Sequence, residues 1–213
     1  VARREAEREA SEDRQRRLNR QLTRGLFVPW DFGDESSFDG ELNGEATIAG
    51  GVLRLGTPGD HGVVTKPLPL FDGRHDFSLA FRFRKEPGSG GFLLRKSSRW
   101  GRDGLGLNTD GRFQYFNPDA GSTDLNLRIP IDDDGAPRWL LVTCRGGGKS
   151  LRIYLNGKLA AQGEVRSAPT PNDAPLQVGS QMHGSIETVR IYDRALSREE
   201  VRWLVRRTGT VAQ

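Results

Sequence analysis

The chain has 213 residues, enough for one well-buried domain and an extension, and 35% of them are hydrophobic, too many for a disordered chain. The formal net charge is only +4, and residues 1–24 supply +3 of it, with eight arginines against five acidic residues. The remainder is therefore nearly neutral, and nucleic-acid binding by the globular part is not expected.

The single cysteine and the lack of long apolar runs set further limits. Cys144 has no second cysteine, so an intrachain disulfide and a cysteine metal site are excluded. It lies in the apolar segment 139–144, where we expect a buried thiol that acts as a small hydrophobe. The chain contains no run of about 18 apolar residues, so no membrane span is predicted, and it shows no signal peptide.

Residues 1–25 predict a charged helical arm ahead of a domain that we place at residues 26–213. The arm is rich in Arg, Glu, Ala and Gln, which favour helices, and Gly25 is a typical residue to end one. Glu12 and Arg16 stand four residues apart, in the order that stabilises a helix. The apolar stripe is thin, so we expect a solvated linker. The alternative is a helix that docks on a partner or on an anionic membrane surface.

From residue 26 onward the pattern is that of short strands joined by turns. Alternation is clearest in 76–85, which predicts one face toward the core and the other toward solvent or small polar partners. Pro29 predicts an edge position for the first strand. Helices and strands do not alternate and no repeat is present, which argues against parallel α/β folds. Three dipeptides indicate two-residue hairpin turns: Gly50-Gly51, Asp110-Gly111 and Asn156-Gly157.

The segment 175–204 predicts a strand, a corner and a short capped helix. Ser197 is a good N-cap, and Glu200 three residues later can complete a capping box. Leu196 and Val201 stand where a hydrophobic staple would fix the angle between chain and helix. We expect this segment to close a sandwich by packing against one rim of a sheet.

The same segment resembles the C-terminal signature of laminin-G-like jelly-roll domains, within the concanavalin A-like lectin and glucanase superfamily. The resemblance rests on a glycine-led strand (184–192) that ends in a tyrosine, an Arg-Ala-Leu-Ser corner (194–197) and an acidic helix start. The segment 139–165 is also similar, with a tryptophan-led strand, a glycine loop and a Tyr-x-Asn-Gly-Lys hairpin. The resemblance covers about residues 26–205.

This resemblance implies an all-β fold, a two-sheet antiparallel jelly-roll sandwich of the concanavalin A-like type, with an N-terminal helical arm and a short C-terminal helix. It also implies an extracytoplasmic location, periplasmic or at the cell surface. Because superfamily members include binding modules, enzymes and structural domains, the fold does not decide the function.

Calcium is a candidate cofactor, because many relatives bind one ion at the rim of the sandwich through aspartates and backbone carbonyls. The family's usual Asp-Glu pair has become Glu187-Thr188 here, which removes an acidic residue from the last strand. We therefore assign no metal ligand. The aspartates in suitable turns are Asp103, Asp110, Asp119, Asp124 and Asp132 to Asp134.

Motifs for catalysis or phosphate binding are not found. The glycine-rich loop 146–150 lacks the spacing of a phosphate-binding loop and joins two predicted strands. Glycoside hydrolysis needs two carboxylates that face each other across the scissile bond, and no predicted strand carries an acidic-apolar-acidic pattern. The sequence therefore predicts no enzyme.

The loop 97–104 is the best candidate binding site. Trp100 stands among polar residues outside any strand pattern, and an exposed indole beside Arg and Asp can stack on a sugar ring and hydrogen-bond its hydroxyl groups. Such a loop equally suits a protein hot spot, and the alternative is a tryptophan folded back over the core edge. The predicted ligand-binding residues are Arg99, Trp100, Arg102, Asp103 and Tyr115.

From these observations we expect a non-catalytic recognition module that binds carbohydrate or protein. It would form part of a larger extracytoplasmic protein and join that parent protein or assembly through the arm. One alternative is a structural or docking domain with no ligand of its own. The other, which ranks last, is a carbohydrate-active enzyme.

Overall fold

A computed structural model of the chain describes residues 2–33, 37–57, 59–64, 71, 74–98, 103–117, 122–147, 149–164 and 171–208. Within these residues, helix α1 spans Ala2–Thr23 and helix α2 spans Arg198–Thr208. The strands, in chain order, are β1 Leu26–Asp31, β2 Glu41–Asn43, β3 Thr47–Ala49, β4 Val52–Leu55, β5 His61–Val64, β6 Phe77–Lys85, β7 Phe92–Lys96, β8 Gly104–Asn108, β9 Arg112–Asn117, β10 Ser122–Arg128, β11 Arg138–Arg145, β12 Ser150–Leu155, β13 Lys158–Glu164, β14 Leu176–Val178 and β15 Gly184–Tyr192.

These strands form two antiparallel sheets around one core. Among the described residues, the first sheet has eight strands in the order β13-β12-β11-β6-β15-β4-β3, with β1 added beside β15. The second sheet has seven, in the order β10-β9-β8-β7-β14-β5-β2. Inward-pointing side chains of both sheets pack into a single apolar core. The predicted jelly-roll sandwich with an N-terminal helix and a short C-terminal helix is confirmed.

Strand β15 lies inside the first sheet and not at its rim. One edge of β15 pairs with β6, and the other is shared between β4, opposite residues 184–186, and β1, opposite residues 188–192. The expectation that this part of the chain packs against a rim was therefore wrong for the strand. The physical reason is that β15 buries both faces, with Val189 in the main core and Tyr192 under the helices.

Strand β6 also buries both faces. Ser78 and Ala80, on the side that we expected to meet solvent or small polar partners, are covered by the chain that leads into α2. The Ser78 hydroxyl donates a hydrogen bond to the Arg194 carbonyl at 2.8 Å and accepts one from the Leu196 amide at 2.9 Å. Ser78 thus meets polar partners, one of the two expected alternatives, whereas Ala80 meets apolar side chains and not solvent. The inward side chains, at most 1% exposed as predicted, are Phe77, Leu79, Phe81 and Phe83.

A second apolar cluster joins both helices to the outer face of the first sheet. Full burial of a large apolar side chain stabilises the fold by about 1.5–3 kcal/mol, so this cluster holds the helices to the sheet. The staple residues on either side of the α2 cap belong to it, as predicted. Its buried members are Leu22, Ala80, Trp139, Leu141, Tyr154, Tyr192, Leu196, Val201 and Leu204.

Helix α1 packs on α2 only with its last turns. Residues 3–17 are exposed, as expected of a solvated helix, whereas Leu18 and Leu22 are buried. On α2, Trp203 donates a hydrogen bond from Nε1 to Asn19 Oδ1 at 2.9 Å. Neither described helix is long and apolar enough to cross a membrane. The arm is tied to the domain by these contacts, by the Arg14–Glu199 ion pair, and by hydrogen bonds from Arg194 to the carbonyls of Gln21 and Arg24.

The structure contains turns and an edge strand at positions that the sequence predicted. Asn156 and Gly157 join β12 to β13 with φ values of 49° and 78°, as a type I′ hairpin turn requires. Asn156 also accepts a hydrogen bond on Oδ1 from the Trp139 amide at 2.9 Å, which fixes the turn against β11. Gly25 ends α1 with a φ of 70°. Pro29 lies on β1, which within the described residues pairs with β15 alone.

Candidate functional site

The loop predicted to bind ligand is described only at its two stems. Arg99, Trp100 and Arg102 lie outside the described residues, so their role stays a prediction. The Asp103 carboxylate accepts hydrogen bonds from Ser97 Oγ at 3.1 Å, from the Ser98 amide at 2.9 Å and from the Ser98 hydroxyl. Asp103 therefore ties the two stems together.

Tyr115 does not belong to the candidate site. It lies on β9 beside Phe113, is 0% exposed, and packs in the main core. Its hydroxyl donates to Cys144 Sγ at 3.8 Å, and burial raises the pKa of both groups. Because no part of Tyr115 reaches the surface, the expectation that it contacts a ligand is corrected. The expectation of a buried Cys144 is confirmed.

Lys96, the last residue of β7, fixes the stem at which the loop 97–104 begins. Its Nζ donates hydrogen bonds to the carbonyls of Asn172 at 2.9 Å and Ala174 at 2.7 Å, and burial lowers the pKa of its ammonium group. The Lys96 carbonyl lies so close to Gly104, which has a φ of 80°, that an added Cβ there would stand only 1.8 Å away. The loop therefore starts from a rigid base.

The second sheet carries a row of residues that points away from the core. Successive cross-strand pairs join Gln114 to Gly106, Gly106 to Arg95 and Arg95 to Gln177. Their neighbours along each strand are core side chains such as Leu107, so strand alternation turns this row outward. We call the row Gln114–Gly106–Arg95–Gln177 the outward row. Arg95 and Gln177 are neighbours and partly exposed, whereas Gln114 is 9% exposed and Gly106 separates it from Arg95.

Arg95 links the outward row to the loop stem. Its guanidinium carbon lies 6.0 Å from the centre of the Phe92 ring, within the range of a cation–π contact. Burial lowers the pKa of Arg95, and the charge of Asp103 opposes this shift. Asp103 at the stem and Arg95, an interior member of the row, are thus electrostatic neighbours, so the described stem of the loop lies beside the middle of the outward row.

Next to this row lies a polar group at the β8–β9 turn. Asp110 accepts a hydrogen bond from the Arg112 amide at 3.1 Å and lies 3.4 Å from the Arg128 guanidinium. Within the described part of the chain, two buried atoms here have no hydrogen-bond partner, Asn108 Oδ1 and Arg112 Nε. One is an acceptor and the other a donor, the complement of a hydroxyl group, which both donates and accepts.

The acidic turn 132–134 is held by basic residues. Arg138 donates to Asp134 at 2.7 Å, and this hydrogen bond lowers the pKa of Asp134. Lys85 lies 2.6 Å from Asp133, and its hydrogen bond lowers the pKa of Asp133. These carboxylates therefore fasten the turn to β6 and β11.

The described residues do not fit the calcium ion that the resemblance suggested. Glu187 forms an ion pair with Arg82 at 3.1 Å, and Thr188 beside it is buried. Asp119 and the side chain of Asp124 lie outside what the structure describes. Among the residues that it does describe, no three Asp, Glu, His or Cys side chains come together in a way that could hold a metal ion.

Sequence reasoning did not single out the outward row. The signal was present, since a polar residue alternates with apolar ones in Leu94-Arg95, in Phe113-Gln114-Tyr115 and in Leu176-Gln177-Val178. Each of these segments is too short to show by itself that the three strands belong to the same sheet. Their alignment follows only from the pairing of β9, β8, β7 and β14.

Comparison with known families gives one match. A family model described as the concanavalin A-like lectin/glucanases superfamily matches residues 55–202. No curated protein matches the sequence.

Solved structures with a similar fold are binding domains of clostridial toxins. The binding domain of Paraclostridial Mosquitocidal Protein 1 has a TM-score of 0.68 and 16% identity, over 87% of this chain and 53% of that chain. The binding domain of botulinum neurotoxin DC, in complex with rat synaptotagmin II, gives 0.66 and 15%, over 86% and 51%.

A structure of botulinum neurotoxin type C, whose cell entry is described as dependent upon interaction with two ganglioside molecules, gives a TM-score of 0.67 and 15% identity, over 86% of this chain and 51% of that chain. The present chain thus spans about half the length of these structures. At such identity the likeness shows the fold alone.

Proposed function

We propose that this chain, which belongs to the concanavalin A-like lectin/glucanases superfamily, is a non-catalytic recognition module whose ligand is a carbohydrate or a protein. The observation that carries the proposal is the outward row, an arrangement of amide and guanidinium groups in which Arg95 lies near Asp103 at the stem of the loop 97–104. Such groups suit hydroxyl-rich ligands because they supply both donors and acceptors.

The position of the helices supports this choice of face. Both described helices pack on the outer side of the first sheet, where they bury residues such as Trp139 and Tyr154. The outward row belongs to the second sheet, on the opposite side of the sandwich. The strands that carry the row pack against the core through their other face. The polar groups of the row are therefore held in place before a ligand arrives, which reduces the entropy cost of binding.

Carbohydrate is the ligand class that we favour. The row supplies amide and guanidinium groups for hydroxyls, and Trp100 would add a surface on which a sugar ring stacks. Of the solved neighbours, one is in complex with rat synaptotagmin II and another is described as dependent upon ganglioside molecules for cell entry, and this chain matches about half of each. The non-catalytic assignment is supported by Asp103 and Asp110, whose carboxylates are engaged within the fold.

A glycan-array screen, with and without calcium, tests the proposal. We expect wild type to bind, and both Trp100→Ala and the double variant Gln114→Ala/Gln177→Ala to lose at least about tenfold in affinity. Gln162→Ala, at an exposed position of β13, is the matched control and should bind like wild type. If wild type binds no glycan under either condition, the carbohydrate ligand is excluded, and the remaining hypotheses are a protein ligand or a structural domain with no ligand of its own.

We further propose that the parent protein is extracytoplasmic and that α1 leads toward the rest of it. The proposal rests on the match to the laminin-G-like family model, since such domains are often extracellular, and on the exposure of residues 3–17. Cell fractionation of the native host with an antibody against this domain tests the location. Detection in the cytoplasmic fraction alone would contradict it.

A further inference from the structure

The two edges of the sandwich are built differently. At one edge β10 and β13 contact each other, and an added Cβ at Gly163 would stand 3.2 Å from the methyl carbons of Leu127, so the gap between the sheets is closed there. Among the described strands, those at the other edge are β2 of the second sheet and β3 of the first. A cavity of about 420 Å³ opens between them, which we call the edge notch. Its lining residues are Phe38, Gly40, Leu42, Ala46, Thr47 and Ile48.

The edge notch exposes side chains of the kind that fill the core. Leu42 pairs with Gly62, which lies on the core side of β5, so Leu42 points into the gap between the sheets. Ile48 pairs with the core residue Leu53 and points into the gap from the first sheet. Phe38 also lines the notch and packs on the main core. Leu42 is nevertheless 40% exposed, one of two large apolar side chains in the described chain that are so open.

The backbone of β2 is open beside the notch. Within the described residues β2 pairs with β5 alone, and all three of its side chains are exposed. The amide and carbonyl groups along its other edge are therefore available to an incoming strand. A residue that paired with Leu42 from that side would point its side chain into the notch, because directly paired residues share a face of the sheet. The next residue along such a strand would point to the outer face, as Glu41 does.

The surroundings of the edge notch are acidic. Residues 31–53 include six acidic residues and no lysine or arginine, whereas the rest of the chain has 32 basic and 22 acidic residues. Glu41 and Glu45 are exposed, and neither forms an ion pair among the described residues. Arg54 on β4 directs its guanidinium group toward Gly50, at the turn after β3. An occupant should therefore carry positive charge beside its apolar side chain.

We propose that the edge notch binds an extended segment of a partner protein, which pairs with the free edge of β2 and inserts an aliphatic side chain opposite Leu42. A lysine or arginine next to that side chain faces Glu41 on the outer face of the second sheet. Backbone pairing supplies affinity, and the notch together with Glu41 supplies selectivity. This site is independent of a carbohydrate ligand, because the notch opens between the sheets, whereas the outward row lies on the outer face of the second sheet.

Selection from a phage-displayed library of random peptides on the full chain tests this site. We expect enriched peptides to share an aliphatic residue with lysine or arginine beside it, and no proline in that stretch. Leu42→Asp should weaken binding of such a peptide at least about tenfold, because a carboxylate would meet its apolar side chain. A second selection on Glu41→Lys/Glu45→Lys should keep the aliphatic residue and replace its basic neighbours by acidic ones.

Phe27→Asp is the matched control, because Phe27 is the other large apolar side chain that is this exposed in the described part of the chain. It lies on β1, which pairs with β15 and does not line the notch. This variant should bind the selected peptide like wild type. Circular dichroism shows whether each variant is folded.

Three results would overturn the proposal. The first is that no enriched peptide loses affinity for Leu42→Asp. The second is that the charge reversal at Glu41 and Glu45 leaves the selected sequences unchanged. The third is a set of enriched peptides that Leu42→Asp retains and Gln114→Ala/Gln177→Ala loses, which would assign the protein ligand to the outward row. Failure of the glycan array, in contrast, does not affect the edge notch.

Discussion

Ser197 and Glu200 cap each other at the start of α2. The Ser197 hydroxyl accepts a hydrogen bond from the Glu200 amide at 3.2 Å, and the Glu200 carboxylate accepts one from the Ser197 amide at 2.8 Å. The same carboxylate also lies 2.6 Å from the Arg194 guanidinium. Burial favours the neutral acid, but these bonds outweigh it and lower the pKa of Glu200. One carboxylate thus joins the corner before α2 to the first turn of the helix.

Replacing Ser197 by alanine should destabilise the domain. Because the Glu200 amide loses its acceptor, we expect Ser197→Ala to lower the free energy of unfolding by about 1 kcal/mol. Ser197→Asp should restore most of this, since aspartate is an equally good N-cap. Urea unfolding followed by circular dichroism measures both. Equal stability of Ser197→Ala and wild type would show that the cap contributes nothing.

A side chain at Gly184 should disrupt the start of β15. Gly184 has a φ of 142°, and an added Cβ would lie 2.1 Å from the Arg84 carbonyl oxygen. We expect Gly184→Ala to unfold at markedly lower urea concentration because backbone atoms of β6 must move. Gly146→Ala is the control, since it has a φ of 62° but open space around its Cβ, and should cost only about 1–2 kcal/mol. Similar effects of the two substitutions would exclude the steric explanation.

Asp60 should contribute stability that is lost in acid. Burial of this carboxyl group opposes ionisation, yet bonds from the amides of Glu45, Gly56 and Thr57 and from the Thr57 hydroxyl prevail and lower its pKa to about 2. Because the folded pKa lies below the unfolded value, the stabilisation is complete above about pH 4 and disappears as the pH falls toward 2.

The variant Asp60→Asn tests this directly. At neutral pH we expect it to be less stable than wild type by about 1–3 kcal/mol, because buried donors lose an acceptor. The difference should shrink as the pH falls from about 4 to about 2, in urea titrations at each pH. Glu41→Gln, at an exposed position of β2, should show no such trend. A difference that stays constant across this range would mean that the charge of Asp60 is not responsible.

Cys144 should react with thiol reagents only when the domain unfolds. The thiol is 0% exposed, and burial raises its pKa, so both access and the reactive thiolate are missing in the folded state. We expect labelling by a thiol-specific chromophore to be slow in buffer and to accelerate through the urea transition. Arg145→Cys adds an exposed thiol on the neighbouring residue, and that thiol should react at once. Rapid labelling of wild type would show that the core opens locally.

Removing the Tyr115 hydroxyl should leave ligand binding unchanged. The hydroxyl donates to a weak acceptor, Cys144 Sγ, so Tyr115→Phe should alter the free energy of unfolding by no more than about 1 kcal/mol. The array used for Trp100→Ala measures its binding. Loss of binding in a stably folded Tyr115→Phe would return this residue to the candidate site.

Local chemistry was predictable where a few consecutive residues contain the whole interaction. The cap at Ser197 needs only the next three residues, and the turn at Asn156-Gly157 needs only two residues that accept positive φ. The phenylalanine side of β6 was predictable for the same reason, because side chains alternate along any strand. The burial of Ser78 was not, since its partners Arg194 and Leu196 are more than 110 residues away in the chain.

From the sequence alone, alternation, turn dipeptides and capping predicted short strands, hairpins and a capped C-terminal helix, because these are short-range effects, and the family resemblance implied the antiparallel sandwich. Only the tertiary structure decided that β15 is central, that Tyr115 is buried, and that Gln114, Arg95 and Gln177 form one row. It also placed Leu42 and Ile48 in one notch at the edge of the sandwich. These features depend on which distant strands and helices become neighbours, and that choice is made by burial of apolar surface across the whole chain.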